Sequence, residues 1–229
     1  MDKDKAEISY TMINTFNLCP VRYAIKYVFH EKELSNPFLI LGQMLHESIV
    51  HLQTFGYDST LKLFLDNYKE MWNIAVDIKS IREEEFVNVF RNTFEVVSRV
   101  VPNYFKSGVE LEKWVEKDYK NEKLIGKIDY LSSDLMLDYK FKKNFLYLKP
   151  TQLDFYRYLT GFEGRQAYLV FTWNGESRLI ESKPRTNIPA YVDDFLKRKD
   201  TDRKPNLKNC RLCPYVQICK VSPQEGYEF

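Results

Sequence analysis

The chain has 229 residues, of which 44% are hydrophobic and 29% are charged, and its formal net charge is +2 at pH 7. This is the composition of a water-soluble globular protein that is long enough to bury a hydrophobic core. No stretch reaches the roughly 18 apolar residues of a membrane span and the first residues lack the apolar run of a signal peptide, so we expect a cytoplasmic protein without a membrane segment. The small net charge neither indicates nor excludes a nucleic-acid partner, because an acidic site can offset a basic groove.

The first half of the chain has the periodicity of helices. Segment 10–29 predicts two helical pieces that separate at Cys19 and Pro20, because proline is well tolerated in a first helical turn. Apolar residues at three-to-four spacing predict the helices that follow, at 38–55, 59–76 and 80–106.

From residue 112 the period of the pattern changes to two, which indicates strands. The predicted elements are strands at 112–119, 123–132 and 135–141, a helix at 150–161, strands at 166–173 and 177–182, and a helix at 189–198. No repeat or flexible linker divides the chain, so we expect one domain over residues 1–229. Its parts are a mainly helical region at 1–110, a sheet core at 111–200 and a cysteine-bearing tail at 201–229.

Two aspartates flank the predicted turn between the second and third strands. If Ser133 and Asp134 are the two turn residues, Asp129 lies directly opposite Asp138, with their Cβ atoms about 4.5–5.5 Å apart. Carboxylates at this distance repel each other, and a divalent cation would convert the repulsion into a binding site. The hairpin therefore suggests a metal site.

Strand alternation divides the hairpin between two faces. Lys140 is predicted on the face of Asp138, where it could hold a water or a phosphate oxygen, and the other face is apolar, with Ile128, Tyr130, Leu137 and Tyr139. The alternative is that the acids are solvated charges on the open face of a sheet, next to an incidental lysine.

Three further polar residues are candidates for the functional site because of their positions on predicted helices. His46 lies on the predicted helix at 38–55, although a lone histidine on a helix is more often structural. Gln152 and Tyr156 are four residues apart, so they are expected to project from one side of the helix at 150–161.

The four cysteines have the spacing of metal ligands. Cys210, Cys213 and Cys219 form a C-x2-C-x5-C pattern, and the fourth, Cys19, is near the other end of the chain. In a reducing compartment this pattern favours a metal over disulfides. The spacing by itself leaves zinc and an iron–sulphur cluster open.

Taken in order, these motifs resemble the RecB-like branch of the PD-(D/E)XK nuclease superfamily. More narrowly, they resemble its iron–sulphur members, the CRISPR-associated RecB-like exonucleases and the nuclease domains of AddB-type repair proteins. The motifs that carry the resemblance are Cys19-Pro-x-x-Tyr23, Gly42-x-x-x-His46, Gly126-x-Ile128-Asp129, Asp138-x-Lys140, Gln152-x-x-x-Tyr156 and the cysteine triplet.

The resemblance implies a restriction-endonuclease-like α/β core, with a mixed central sheet flanked by helices, an N-terminal helical region and a C-terminal iron–sulphur clasp. It implies a Mg²⁺ or Mn²⁺ site whose ligands are His46, Asp129, Asp138 and the backbone carbonyl of Tyr139. Asp138 stands where the family often has glutamate, which shortens the side chain by one methylene.

The same resemblance assigns roles to the remaining motif residues. Lys140 would position the attacking water or stabilise the charged phosphorane, and Gln152 and Tyr156 would help to hold DNA and the lysine. The four cysteines would ligate a 4Fe-4S cluster, with zinc as the rival metal. Lys142, Lys143 and the basic residues of the tail could follow a phosphate backbone, or they could be ordinary solvated surface.

The function expected from the resemblance is that of a metal-dependent DNA nuclease, an exonuclease acting on single-stranded DNA or DNA ends. Its partners would be DNA and proteins of CRISPR adaptation or of recombination and repair. Two alternatives are a nuclease-derived accessory protein that grips DNA without cutting it, and a structural protein clasped by zinc.

Overall fold

The structure is a computed structural model that describes residues 5–33, 37–76, 82–105, 107–145, 148–216 and 218–219. Its N-terminal half contains a short strand followed by helices. In order these are β1 (Glu7–Ser9), α1 (Tyr10–Leu18), α2 (Pro20–Tyr23), a π-helical turn (Ala24–Val28), α3 (Pro37–Val76), α4 (Glu83–Val100) and a 3-10 turn (Val101–Tyr104).

The predicted helices of this half are present, with the predicted break. Ser9 caps α1, because its side-chain oxygen accepts a hydrogen bond from the Met12 amide at 3.2 Å. Pro20 stands in the first turn of α2, as expected. The helices predicted at 38–55 and 59–76 are the two arms of α3, which is interrupted at Gly56 by non-helical backbone angles (φ +77°, ψ −176°). Residues 80, 81 and 106 of the next predicted helix lie outside the described residues.

The second half of the chain builds the sheet. Its elements are β2 (Glu110–Tyr119), β3 (Glu122–Leu131), β4 (Leu135–Lys142), α5 (Thr151–Thr160), β5 (Arg165–Thr172), β6 (Ser177–Glu181), α6 (Ile188–Arg198) and a 3-10 turn (Leu207–Leu212). The strand order is β1-β3-β4-β5-β6, and β2 also pairs with β3. The β1–β3 and β4–β5 pairs are parallel and the other pairs are antiparallel, so the sheet is mixed.

Helices cover both faces of this sheet. One apolar cluster joins the strands to α1, α5 and α6, through buried residues that include Phe16, Phe155 and Phe195. A second cluster joins the opposite face to α3 and α4, through Ile49 and Val97 among others. The predicted α/β architecture, a mixed central sheet flanked by helices, is confirmed.

A membrane-spanning segment is not found: in the ranges that the structure describes, no helix is both long and apolar enough to cross a bilayer.

Candidate active site

The hairpin of β3 and β4 has the predicted register, and it opens at the two aspartates. Tyr130 pairs with Leu137 and Leu131 pairs with Met136, which is the register expected from a turn at Ser133 and Asp134. Beyond the pair of Tyr130 and Leu137, a side chain rather than a backbone ladder bond connects the two strands. The Asp129 carboxylate accepts a hydrogen bond from the backbone N–H of Tyr139 at 2.7 Å. The strands therefore separate where the acids lie, and Asp129 is held by the backbone of the opposite strand.

The predicted alternation of faces is wrong at Ile128. Ile128 packs in the cluster beneath α5, whereas Tyr130, Leu137 and Tyr139 pack in the cluster beneath α3 and α4. Opposite Asp129, the strand β2 has an irregularity, because Glu112 adopts a left-handed conformation with φ +52°. A non-glycine residue pays a steric cost in this conformation, and such residues concentrate at functional sites. Next to this irregularity, Ile128 and Tyr130 of β3 face opposite sides of the sheet although they are two residues apart.

Both aspartates are buried. Asp129 is 8% exposed and Asp138 is 1% exposed. The interpretation of these acids as solvated charges on an open sheet face is therefore wrong. Buried carboxylates require partners, and the two acids have different ones.

Asp129 belongs to a cluster with His46 and Glu112. The Nδ1 atom of His46 lies 3.5 Å from Oδ2 of Asp129 and 3.7 Å from Oε1 of Glu112. One ligand atom from each of the three residues lies within 4.8 Å of the others. Lys127 forms an ion pair with the second oxygen of Glu112. The helix α3 thus brings a histidine from the first half of the chain onto the acids of β2 and β3.

Glu112 is a residue that the sequence reasoning missed. It begins the strand predicted at 112–119, in a segment that also contains Glu110, Glu116 and Asp118, and alternation does not distinguish one of these acids from another. The left-handed backbone that sets Glu112 apart leaves no mark on the sequence, because glycine or asparagine would be the expected residue there.

Asp138 belongs to a second cluster, with Lys140 and the residues of α5. The Lys140 ammonium lies 2.6 Å from Oδ2 of Asp138 and donates to Oε1 of Gln152 at 2.9 Å. The amide nitrogen of Gln152 donates to Oδ1 of Asp138 at 2.5 Å and to the Tyr156 hydroxyl at 3.0 Å. Gln152 and Tyr156 therefore project from one side of the helix, as predicted, and they hold the lysine beside the acid.

A glycine allows α5 to approach the hairpin this closely. A Cβ atom at Gly126 would lie 2.9 Å from Cε1 of Tyr156 and 3.1 Å from Cδ1 of Leu159, which is shorter than a van der Waals contact. Gly126 thus lets the ring of Tyr156 pack directly on β3, three residues before Asp129.

The electrostatics of the site indicate a surplus of negative charge. Burial and the charge of Asp138 raise the pKa of Asp129 from 3.8 to about 7. Burial lowers the pKa of His46, but the hydrogen bond to Glu112 and the charges of Asp129 and Asp138 outweigh it and leave that pKa raised. The raised pKa values of Asp129 and His46 both reflect this excess of negative charge, which a divalent cation would neutralise without a proton. The residues present therefore fit a Mg²⁺ or Mn²⁺ ion.

The first cluster opens onto a groove of about 870 Å³. One wall is a face of α3 and the other is formed by the strands. The lining residues are Gly42, Gln43, His46, Glu47, Val50, His51, Thr54, Phe55, Leu63, Glu112, Lys127, Tyr139, Lys140 and Phe141. Lys140 also lines a second, smaller cavity of about 210 Å³ with Lys142 and Lys149. The lysine therefore stands between an open groove and a basic cavity.

The four cysteines meet in one place. All of them are free thiols, and they line a common cavity of about 140 Å³. The tail is joined to the end of α1 by two hydrogen bonds, from the Asn206 amide to Sγ of Cys19 at 3.5 Å and from the Asn209 side chain to the Leu18 carbonyl at 2.8 Å. Residues 217 and 220–229 of the tail lie outside the described residues.

Two solved structures of other proteins superimpose on this chain and share its architecture. The crystal structure of SSO0001 superimposes with a TM-score of 0.50 at 15% identity, covering 96% of this chain and 89% of that one. The crystal structure of a candidate exonuclease from Eubacterium rectale gives a TM-score of 0.55 at 12% identity, covering 97% of this chain and 89% of that one. No curated protein sequence matches. The model of the PD-(D/E)XK nuclease superfamily matches residues 7–220, nearly the whole chain, and the chain therefore belongs to this superfamily.

Proposed function

We propose that the protein is a metal-dependent DNA nuclease of the RecB-like iron–sulphur branch, an exonuclease acting on single-stranded DNA or DNA ends. The observation that carries the proposal is the buried pair Asp129 and Asp138 at the point where the hairpin opens, with His46 and Glu112 on one acid and Lys140 on the other. Structural stability alone gives no reason to bury two carboxylates side by side, one of them next to a histidine and a third acid.

The metal ligands in this proposal are His46, Asp129 and Glu112, joined by Asp138 and the backbone carbonyl of Tyr139. Carboxylate and carbonyl oxygens are the donors that Mg²⁺ and Mn²⁺ prefer. A divalent ion bound here supplies Lewis-acid chemistry, which polarises a phosphate oxygen and lowers the pKa of a bound water.

Lys140 has the main electrostatic role among the protein groups. Its ammonium is fixed between Asp138 and Gln152, and it faces the groove, so it can stabilise negative charge that develops on a phosphate oxygen. Gln152 is itself fixed by the hydroxyl of Tyr156. These two residues act by holding the lysine in place, so that no reorganisation is needed during the reaction.

End-labelled DNA tests this function. The protein is incubated with single-stranded and double-stranded oligonucleotides labelled at either end, with Mn²⁺ or Mg²⁺ and with EDTA. An exonuclease releases mononucleotides or short products from one end in the presence of metal. An undegraded substrate that is nevertheless retained by the protein would instead support the non-cleaving accessory protein.

We further propose that Cys19, Cys210, Cys213 and Cys219 ligate a 4Fe-4S cluster. The four thiols share one cavity, and among the described residues the only ligand atoms gathered within 4.8 Å in a set of three are those of His46, Glu112 and Asp129. The choice of a cluster over a single zinc ion is supported by the resemblance of the motifs to the iron–sulphur members of the superfamily.

Anaerobic purification tests the cluster. A 4Fe-4S protein is coloured and contains iron and acid-labile sulphide in equal amounts, and Cys219→Ser lowers both. A colourless protein with one zinc ion per chain would refute the cluster and leave the nuclease proposal untouched. The cluster would clasp the tail to α1, in a single domain spanning residues 1–229.

The biological setting is proposed from the resemblance to CRISPR-associated and AddB-type nucleases. The two settings proposed are CRISPR adaptation and recombination or repair, both in the cytoplasm. Affinity capture of the protein with its partners from the native cell tests it, because the two settings predict different sets of associated proteins.

A further inference from the structure

The helix α3 is bent at one residue, and hydrogen bonds of one buried side chain fix the bend. Gly56 has φ +77° and ψ −176°, which no helix permits. The hydroxyl of Thr60 donates to the Gly56 carbonyl at 2.7 Å, and Nδ1 of His51 lies 3.0 Å from the same hydroxyl. Thr60 is fully buried. His51 and Thr60 therefore join the two arms of the helix across the bend.

The bend leaves an aromatic side chain at the mouth of the groove. Phe55, the residue before Gly56, is 62% exposed, although it lines the same groove as His46, Glu112 and Lys140. Its ring centroid lies 4.5 Å from that of His51, so the hydrogen bond of His51 to Thr60 also fixes one neighbour of the phenylalanine ring. Exposing a phenylalanine this far has an unfavourable free energy that a bound apolar surface would remove.

We propose that Phe55 is a stacking platform for an unpaired base of the nucleic-acid strand that the acids cleave. The inference rests on the proposed nuclease function and narrows its substrate to a single strand. Phe55 is nine residues after His46 on a continuous helical segment, so it stands roughly 14 Å along the groove from the metal cluster. The base that it contacts therefore belongs to a nucleotide near the scissile phosphate but not to the one at the phosphate itself.

The chemistry of the groove favours a base as the occupant. Stacking on an aromatic ring tolerates every base, and it requires a face that is not already covered by a neighbour in a duplex. Lys127 and Lys140 line the same groove, paired with Glu112 and Asp138, and once a divalent ion neutralises the carboxylates they would supply positive charge for the backbone of the strand. Aromatic and basic groups in one groove are the usual elements of single-strand binding.

An abasic scan tests the platform. Cleavage is measured on a series of single-stranded oligonucleotides in which one base at a time is removed, with wild type and Phe55→Ala. In wild type, we expect removal of the base at one position to reduce kcat/KM by about 5- to 150-fold. For Phe55→Ala, kcat/KM on the intact strand should already be reduced by the same factor. Removing the base at the sensitive position should then have little further effect. An equal effect of the missing base in both proteins would overturn the proposal.

Two variants control for general damage. Phe55→Trp keeps a stacking face and should restore the dependence on that base. Trp114→Ala removes an aromatic side chain that is 68% exposed on β2 and is not among the described residues lining the groove, so it should leave the scan unchanged. The same loss in Trp114→Ala would show that the effect is not specific to the groove.

A binding measurement separates this proposal from the proposed catalysis. Single strands that carry 2-aminopurine at the sensitive position, or at each position in turn if the protein does not cleave, are titrated with Asp138→Ala protein. Stacking quenches the fluorescence of this base. Quenching by Asp138→Ala that is absent from the double variant of Asp138→Ala and Phe55→Ala would support the platform even without cleavage. No quenching at any position would overturn it, whatever the outcome of the cleavage assay.

Discussion

The carboxylate of Asp129 accepts a hydrogen bond from the backbone amide of Tyr139 at 2.7 Å, just beyond the last backbone pair of the hairpin, Tyr130 with Leu137. Side chains in a regular hairpin project away from the ladder. This contact instead directs the carboxylate towards the edge where β3 and β4 separate. The separation gives Asp129 and Asp138 different partners, and it underlies the division of the site into a metal cluster and a lysine cluster.

The first prediction concerns Glu112, the acid found only in the structure. Glu112→Gln removes one negative charge from the metal cluster and leaves the size of the side chain unchanged. We expect Mn²⁺ affinity to fall by at least about 10- to 100-fold, because that is the usual loss for a group that only supports a ligand and Glu112 is proposed as a ligand itself. Calorimetric titration of the protein with Mn²⁺ measures this. Glu110→Gln, two residues away, changes an exposed acid paired with Lys113 and should have no effect.

The second prediction concerns the positioning of Lys140. Gln152→Ala removes the acceptor of the lysine and a donor to Asp138. We expect kcat to fall about 10- to 100-fold with little change in KM, because the lysine loses its position and the DNA does not lose a contact. The double variant of Lys140→Ala and Gln152→Ala should be no slower than Lys140→Ala alone. If the losses in kcat of the two single variants add up in the double variant, Gln152 does not act by positioning Lys140.

The third prediction concerns the packing of α5 on β3. Gly126→Ala places a Cβ atom 2.9 Å from the ring of Tyr156, so either the ring or the helix must move. We expect the free energy of unfolding to fall by about 1–3 kcal/mol, as for other overpacked sites, and cleavage to weaken with it. Urea denaturation measures the change. Gly42→Ala is the control, since a Cβ atom there has no neighbour within 4 Å and alanine in a helix should stabilise by up to about 1 kcal/mol.

The fourth prediction concerns pH. The pKa of Asp129 is about 7 in the folded metal-free protein and returns to its ordinary acidic value on unfolding. A raised pKa in the folded state means that the contribution to stability is complete below the unfolded pKa and is lost as pH rises through about 7. The Tm of the metal-free protein should therefore fall between about pH 4 and pH 7 more steeply than the Tm of Asp129→Asn.

Metal should reverse this trend. Binding of Mn²⁺ requires the ionised carboxylate and releases its proton, so affinity should rise with pH over the same range. The stabilisation of wild type by a fixed Mn²⁺ concentration is then larger at pH 8 than at pH 6. A stabilisation that is the same at both values would contradict metal binding at Asp129.

Much of the core could be predicted from the sequence. The turn residues Ser133 and Asp134 set the register of the hairpin, so the pairing of Tyr130 with Leu137 was predictable from turn chemistry. The contact of Gln152 with Tyr156 follows from helical spacing alone. In both cases the cause is local, and the residues that decide the geometry are adjacent in the chain.

The rest depends on contacts that are remote in sequence. The strand β1 has three residues, and it exists because it pairs with residues 123–125, more than a hundred positions later. The left-handed conformation of Glu112 and the change of face at Ile128 lie on the neighbouring strands β2 and β3, and no residue preference predicts either of them. The site therefore gained one acid that only the folded chain reveals.

The most direct test of the account is cleavage of end-labelled single-stranded DNA by wild type, Asp138→Ala and Asp134→Ala, with Mn²⁺ or Mg²⁺. Asp134 is an exposed acid in the turn of the same hairpin, so its removal controls for the loss of one charge. We expect metal-dependent cleavage by wild type and Asp134→Ala, and none by Asp138→Ala. Cleavage that survives in Asp138→Ala, or no cleavage by wild type with either metal, would contradict it.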